Sequence, residues 1–331
     1  MSSPRSATVV ILHSHSGDTG KPPGTDVLED LAEVRYATDD DLVSTLPGAD
    51  VLFVWDFRSH ALAGAWPVAG ELRWVHAGSA GVNHVLSPEV VAGEVVVTNS
   101  RGVFDEPMAE YVLALALALA KDLPGTFALQ RERRWRHRET DRLGGKHALV
   151  AGTGPIGRAI ARKLTAAGLT VTGVGRRARE ADPDLGSVLP MERLAEGLAG
   201  ADYVVLAAPL TDATRGMIDK AALAVMKPSA RLINVGRGPL VAQDDLVEAL
   251  AAGEIAGAAL DVFADEPLPE TSPLWAMPNV IVSPHMSGDV VGWRSELVAL
   301  FHDNLSRYLD GRPLRNVVDK QRGYVREGTS T

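Results

Sequence analysis

Cysteine is absent from this 331-residue chain, which excludes disulfides, thiolate metal sites and a thiol nucleophile. A chain without thiols fits a reducing compartment. Positive charge is also in short supply: 33 Lys and Arg stand against 42 Asp and Glu, a net charge of −9. That balance disfavours nucleic acid or an anionic membrane as the main partner. Long apolar runs are missing too. The longest, residues 112–120, falls well short of the roughly 20 residues a membrane span requires, and reads as a buried helix. The first apolar run, residues 8–12, is too short for a signal peptide and reads as a first buried strand. The expectation is a cytoplasmic protein whose partners are small molecules.

What is present suits a globular protein of two domains, with 46% apolar and 23% charged residues. Short Val-rich runs at 8–12, 50–54, 72–76 and 95–98 are separated by helical or turn-rich stretches, the pattern of parallel strands covered on both faces. A helix over 106–121 follows, with Asp105 placed to cap it and Pro107 in its first turn. A second series then begins: strand 147–151, a glycine turn, helix 156–167 and strand 170–174. Further strands at 203–207, 231–235, 256–260 and 280–283 alternate with helices. The fold class is therefore α/β, with two doubly wound parallel-sheet domains. One comprises 1–100 plus 288–331, the other 101–287, and a cleft between them is the natural ligand site. A helix is expected over 293–309, and the polar tail 316–331 has no clear assignment.

The run GTGPIG at 152–157 sits between a strand and an apolar-periodic helix. In that setting Gly152 permits the tight turn, Gly154 lets a phosphate approach the backbone and Gly157 allows close helix packing. Free amides near Pro155 and Ile156, at the positive helix end, could hold a pyrophosphate. The plainer reading is an ordinary strand-to-helix turn. About twenty residues on, where an NAD-binding turn would place an acidic residue, this chain has Gly175 followed by Arg176 and Arg177. A carboxylate would repel a 2′-phosphate, whereas guanidinium groups bind one. NADP(H) is thus preferred over NAD(H), unless the arginines are merely solvated.

Moving a hydride onto a carbonyl carbon requires a proton donor working near neutral pH and a fixed cation for the anionic end of the substrate. Histidine and arginine suit those tasks, and an adjacent carboxylate would favour the imidazolium and orient the ring. His285, Arg237 and Glu266 are the candidates. Each alone has a plain explanation, as a polar contact, a loop cation or a helix cap. Together they fall just beyond expected strand ends, where open α/β sheets place their ligands.

GTGPIG at 152–157, NVGRG at 234–238, ALDVFADEP at 259–267 and PNVIVSPH at 278–285 together resemble the D-isomer-specific 2-hydroxyacid dehydrogenases, whose two domains are Rossmann-like and flavodoxin-like. The resemblance implies that Arg237 pairs with the substrate carboxylate and 2-oxo oxygen, that His285 donates the proton during reduction, and that Glu266 supports it. It further implies that Asp261 meets the nicotinamide carboxamide, with a strand-end hydrogen bond as the rival role. Val235 and Gly236 would lie beside the cofactor, Ser287 and Gly288 at its ring end, and Pro209 and Thr214 along the nucleotide. AGSAG at 77–81 resembles the family's carboxylate-binding loop, so Ser79, Ala80 and Gly81 form a candidate anion nest or a simple glycine-rich turn. Trp55 and Phe57 are candidates for an apolar substrate pocket or for core.

Gly175 with Arg176 is similar to the NADP-using glyoxylate and hydroxypyruvate reductases of the family. The expectation is an NADPH-dependent reductase of a small 2-oxo acid, forming a D-2-hydroxy acid. A non-enzymatic corepressor of the same fold and a phosphoglycerate dehydrogenase are the alternatives. A homodimer built partly on helix 106–121 is also expected. The basic stretch 131–138 carries Trp135, which by analogy would reach the neighbouring subunit's pocket. No metal site is expected: His13 and His15 lack further ligands and sit in a glycine- and proline-rich loop.

Overall fold

The computed structural model describes residues 7–15 and 20–325. The chain divides into two compact units, Met1–Val103 with Val290–Thr331, and Phe104–Asp289.

In the first unit, strands β1 (Thr8–Leu12), β2 (Glu33–Ala37), β3 (Val51–Val54), β4 (Trp74–Ala77) and β5 (Val96–Asn99) form one parallel sheet in the order β2-β1-β3-β4-β5. This is the flavodoxin-like order, with its switch between β1 and β3. Every residue of β1, β3 and β4 is buried, which is why these strands read as unbroken apolar runs. The edge strand β2 did not stand out in the sequence. Its run EVRYA buries only Ala37, so charge interrupts the apolar pattern. Helix Trp293–Leu309 belongs to this unit, and its Phe301 stacks on Phe53 and Trp74 at centroid distances of 4.2 and 5.1 Å. The tail contributes the hairpin β14 (Val318–Asp319) and β15 (Tyr324–Val325). Lys320 anchors it by donating to the carbonyls of Val90, Gly93 and Val95.

The second unit holds eight strands: β6 (His147–Ala151), β7 (Thr170–Gly175), β8 (Arg179–Asp182), β9 (Gly186–Pro190), β10 (Tyr203–Leu206), β11 (Arg231–Asn234), β12 (Gly257–Leu260) and β13 (Val280–Val282). Their order is β13-β12-β11-β10-β6-β7-β9-β8, so the direction of winding reverses between β6 and β10. All pairs are parallel except β8 with β9. The expectation of helix alone between β7 and β10 is corrected by this hairpin, whose strands are too polar to read as buried ones. Leu206 pairs with Asn234, Asn234 with Leu260, and Leu260 with Val282. That register brings the carboxyl ends of four strands to one edge.

Helix Asp105–Ala120 packs on helix Pro155–Ala166, and its buried Ala109, Val112, Leu115, Ala116 and Ala120 share one apolar cluster with Ala159, Ile160, Ala161 and Leu164. The alanines let the helices approach, and burial of Val112 and Leu115 stabilises by about 1.5–3 kcal/mol each. Asp105 is the first helical residue and not the cap, which is Phe104. Its charge still complements the helix dipole. Among the described residues no single helix is long and apolar enough to cross a membrane, though Asp105–Ala120 and Leu123–Arg131 would suffice together and meet at a 64° bend.

Candidate active site

Arg237 follows β11 in an extended conformation just before a short 3-10 turn, Gly238–Leu240. Asn234, buried at the strand end, shapes this loop from both sides. Its Oδ1 accepts from the Gly236 amide at 3.1 Å and its Nδ2 donates to the Arg237 carbonyl at 3.0 Å. Glycine is required at 238, because a Cβ there would lie 1.7 Å from the Phe263 carbonyl oxygen. The close approach draws the Arg237 loop against the segment leading to Glu266. One guanidinium donor, Nη1, is committed to the Gly236 carbonyl at 2.7 Å. Burial pulls the Arg237 pKa down and the nearby Glu266 charge opposes that, but a guanidinium remains cationic at neutral pH.

Glu266 and His285 leave the ends of β12 and β13 and meet: Nδ1 of His285 lies 2.6 Å from Oε2 of Glu266. The two side chains are 28% and 27% exposed, which is open enough for a reactant and shielded enough for strong coupling. The other oxygen of Glu266 accepts from the Phe263 amide at 3.0 Å. Burial would raise the Glu266 pKa, yet the hydrogen bond and charge of His285, the Phe263 amide and the Arg237 charge outweigh it. The carboxyl is held below its ordinary value. Glu266 is therefore ionised at neutral pH and can only accept, so the proton in the short bond sits on Nδ1 of His285.

His285 itself has φ 53°, a left-handed conformation that a side chain disfavours. Asp261, with no exposed surface, holds the turn in place. Its carboxylate accepts from Ser283 Oγ at 2.7 Å and from the amides of Met286 and Ser287 at 2.9 Å each, while its carbonyl accepts from the His285 amide at 2.8 Å. The strand-end hydrogen-bonding role is thus present at Asp261. Of the four lone-pair positions a carboxylate offers, one is left for another donor.

The glycine turn lies at the end of β6, beside the reversal point. Gly152 has φ 115°, and a Cβ at Gly157 would lie 1.8 Å from the Gly152 carbonyl oxygen, whereas a Cβ at Gly154 would meet nothing within 4 Å. The turn is therefore closed where it packs and open at Gly154, as a phosphate cradle needs to be. Pro155 starts the helix and has no N–H, so Ile156 is the first helical residue with an amide to offer. Arg176 and Arg177 are exposed immediately past β7. Thr214 closes the turn after β10 through a bond from its hydroxyl to the Pro209 carbonyl at 2.7 Å. Val235 is buried at 2% exposure. Gly236 packs under Leu240, and Gly288 packs under Phe104, where Cβ atoms would approach to 2.8 and 2.7 Å. Ser287 is held by Asp261.

In the first unit, Ser79, Ala80 and Gly81 follow β4 and are half-buried. Their amides donate to no partner among the described residues, while their carbonyls accept from Ser100 N, Asn99 Nδ2 and Ser79 Oγ at 3.0, 2.6 and 2.7 Å. Trp55 is in the core of this unit, 2% exposed and stacked on Trp293 at 6.0 Å. Phe57 is half-buried. Trp135 stands fully exposed on a segment without regular secondary structure. His15 bonds to Asp40 at 2.9 Å, residues 16–19 of that loop lie outside the described residues, and no group of three or more metal-ligating side chains occurs among the described ones.

Asn234, Ser283, Asn99 and Ser100 were not singled out from sequence as site residues. Only Asn234 left a signal there, an amide that closes the apolar pair Leu232 and Ile233 of its strand.

Residues 113–287 match the family model described as D-isomer specific 2-hydroxyacid dehydrogenase, NAD binding domain. The chain is 33% identical over 267 residues to the glyoxylate reductase of Korarchaeum cryptofilum, covering 78% of this chain and 80% of that protein. Among solved structures it resembles a D-isomer specific 2-hydroxyacid dehydrogenase from Xanthobacter autotrophicus in complex with NADPH and MES, with a TM-score of 0.81, 31% identity and coverage of 97% and 100%. It also resembles the NADPH-dependent glyoxylate/hydroxypyruvate reductase of Sinorhizobium meliloti in complex with NADP and sulfate, with a TM-score of 0.81, 29% identity and coverage of 96% and 100%. With the glycine turn and the Arg237, Glu266 and His285 constellation in place on a fold of this kind, the chain belongs to the D-isomer specific 2-hydroxyacid dehydrogenase family of oxidoreductases.

Proposed function

We propose that the protein reduces a small 2-oxo acid, of the glyoxylate or hydroxypyruvate kind or longer, to the D-2-hydroxy acid with NADPH. The observation that carries the reading is the short bond between His285 Nδ1 and Glu266. It fixes the tautomer, and in this reading the other ring nitrogen serves the reaction. Bound NADPH supplies a hydride to the carbonyl carbon. As the carbonyl oxygen gains charge, Arg237 stabilises it and His285 delivers a proton from Nε2. The Glu266 carboxylate keeps the ring oriented and compensates the imidazolium before transfer.

The amides of Ser79, Ala80 and Gly81 suit the substrate carboxylate, as three donors with no partner among the described residues. For the cofactor, Gly175 favours NADPH. A Cβ at that position would lie 2.9 Å from the Thr153 methyl carbon, so an acidic side chain competing for the ribose is disfavoured there. Arg176 and Arg177, exposed immediately past β7, bring the guanidinium chemistry that suits a 2′-phosphate. The relatives solved with NADPH or NADP support the same choice. Apolar side chains exposed at Leu117, Leu123, Phe127 and Trp135 favour a homodimer formed along this segment.

The test is to mix the purified protein with NADPH or NADH and a panel of glyoxylate, hydroxypyruvate, pyruvate and branched or aromatic 2-oxo acids. Oxidation of NADPH well ahead of NADH with at least one acid is expected. No oxidation with any acid would overturn the proposal.

A further inference from the structure

His76 is the third residue of β4 and has no exposed surface. It lies among the rings of Phe53, Trp74 and Phe301 at centroid distances of 5.3, 6.0 and 5.4 Å. An aliphatic side chain would suit those neighbours better. Burial pushes the imidazole down to about 3, so the ring is neutral at any working pH and needs partners for both nitrogens.

Those partners form a relay with one direction. The Trp74 indole, which can only donate, bonds to Thr98 Oγ1 at 2.7 Å. Thr98 Oγ1 also lies 2.7 Å from His76 Nδ1, and because Ser100 commits its one hydroxyl proton to the Ala77 carbonyl it can only accept from the ring, which leaves Nδ1 to accept the Thr98 proton. The ring proton must then sit on Nε2, which faces Ser100 Oγ at 3.3 Å. Ser100 in turn donates to the Ala77 carbonyl at 3.0 Å. At that point the relay reaches the 77–81 loop. Ser100 also donates its amide to the Ser79 carbonyl at 3.0 Å, and Asn99 donates to the Ala80 carbonyl at 2.6 Å. With its carbonyls engaged from behind, the loop has its amides to offer elsewhere.

We propose that His76 is a positioning residue for the reaction, holding the 77–81 loop through Ser100 so that its amides are set for the substrate carboxylate. This rests on the assignment of that loop to the carboxylate. A packing role alone makes a different prediction, because leucine would fill the same apolar surroundings without a polar ring to satisfy.

Steady-state kinetics of His76→Leu and His76→Gln separate the two. Gln keeps one donor and one acceptor near the Nε2 position. For His76→Leu the KM for the 2-oxo acid is expected to rise about tenfold, the worth of one hydrogen bond of about 1.4 kcal/mol, with kcat and the NADPH KM within about twofold of wild type. His76→Gln should recover most of the loss. A wild-type KM in His76→Leu overturns the proposal, as does equal impairment of both variants or a matching rise in the NADPH KM. If His76→Leu does not fold, Ser100→Ala carries the test, with the same KM rise expected and a wild-type KM refuting it. Ala80→Pro deletes one loop amide and checks the underlying assignment. If it leaves the substrate KM unchanged, the loop does not bind the carboxylate and the proposal falls with it. If Ala80→Pro raises KM while His76→Leu and Ser100→Ala do not, the relay alone is wrong.

Discussion

Replacing Asp261 by Asn tests what keeps His285, the proposed proton donor, in place. The carboxylate accepts three hydrogen bonds, from Ser283 Oγ, Met286 N and Ser287 N, and has no contact with solvent. An Asn side chain has one oxygen. It can retain the pair from Ser283 and Met286 but must turn its NH2 group towards the Ser287 amide, a donor against a donor. Loss of one charge-assisted bond costs about 1.5–3 kcal/mol, and a buried unsatisfied donor about 1–3 kcal/mol more. Against this stands the strain at His285, whose φ of 53° costs about 1–3 kcal/mol for a residue with a side chain. The clasp outweighs the strain in the native protein and no longer does in the variant. If the turn loses about 3 kcal/mol of its preference, the equilibrium constant favouring the competent turn falls roughly a hundredfold, and the competent population by up to that factor. The assay is NADPH oxidation at saturating substrate, beside NADPH affinity from fluorescence titration. The expected result is a kcat lower by up to about a hundredfold, with cofactor affinity changed by no more than the one remaining lone pair could account for. A kcat within about threefold of wild type would refute the argument. So would a loss confined to cofactor affinity, which would make Asp261 a nicotinamide contact and nothing more.

Other expectations follow from the same geometry. His285→Ala should lower kcat by about 10²–10⁴-fold while leaving NADPH affinity unchanged; a comparable loss in both would mean that the substitution disturbs the cofactor site. Arg176→Ala should raise the NADPH KM by roughly tenfold or more, the worth of a charge-assisted bond, without affecting the NADH KM, and an unchanged NADPH KM would remove Arg176 from the phosphate site. A pH test is available at Asp182, whose carboxylate is paired with Arg158 at 2.8 and 3.0 Å and with Arg179 at 2.9 Å. Burial raises its pKa, but the Arg158 bonds and charge and the amides of Asp184 and Leu185 outweigh that and hold it below the usual 3.8. A depressed folded pKa contributes stability that is complete above the unfolded value and lost as pH falls through the folded one. Asp182→Asn should therefore be less stable at neutral pH, by roughly 3 kcal/mol, yet lose less on acidification below pH 3.8. Parallel denaturant-midpoint curves across that range would contradict this.

The parts of the fold legible in the sequence were those whose burial is symmetrical. Central strands such as β1 and β10 are buried at every residue, so they appear as short apolar runs whatever their neighbours are. Strands exposed on one side carry charge and lose that signature. The run EVRYA of β2 and the polar hairpin of β8 and β9 were missed for this reason. At the helix following β5, local chemistry misled: Asp105 is a good capping residue type, but Phe104 occupies the cap.

The site divides along a different line. Arg237, Glu266 and His285 were accessible as candidates because a group proposed to act on a reactant is polar and lies near a strand end, and both properties can be read from sequence. Residues that hold those groups act through backbone atoms, and no spacing rule finds them. Asp261 was read only from the family resemblance and with two rival roles, and its hold on the Met286 and Ser287 amides beyond β13 needed the structure, as did that of Asn234 on its own loop. His76 is the limiting case. In the register of β4 with β5 it stands directly opposite Thr98, 22 residues away in the chain, so a pairing that looks accidental in sequence is a cross-strand neighbour in the sheet. Once the register is known, a buried histidine facing a buried hydroxyl beside the proposed carboxylate loop stops being an odd core residue. It needs an explanation in terms of the loop, because the apolar surroundings alone would select leucine.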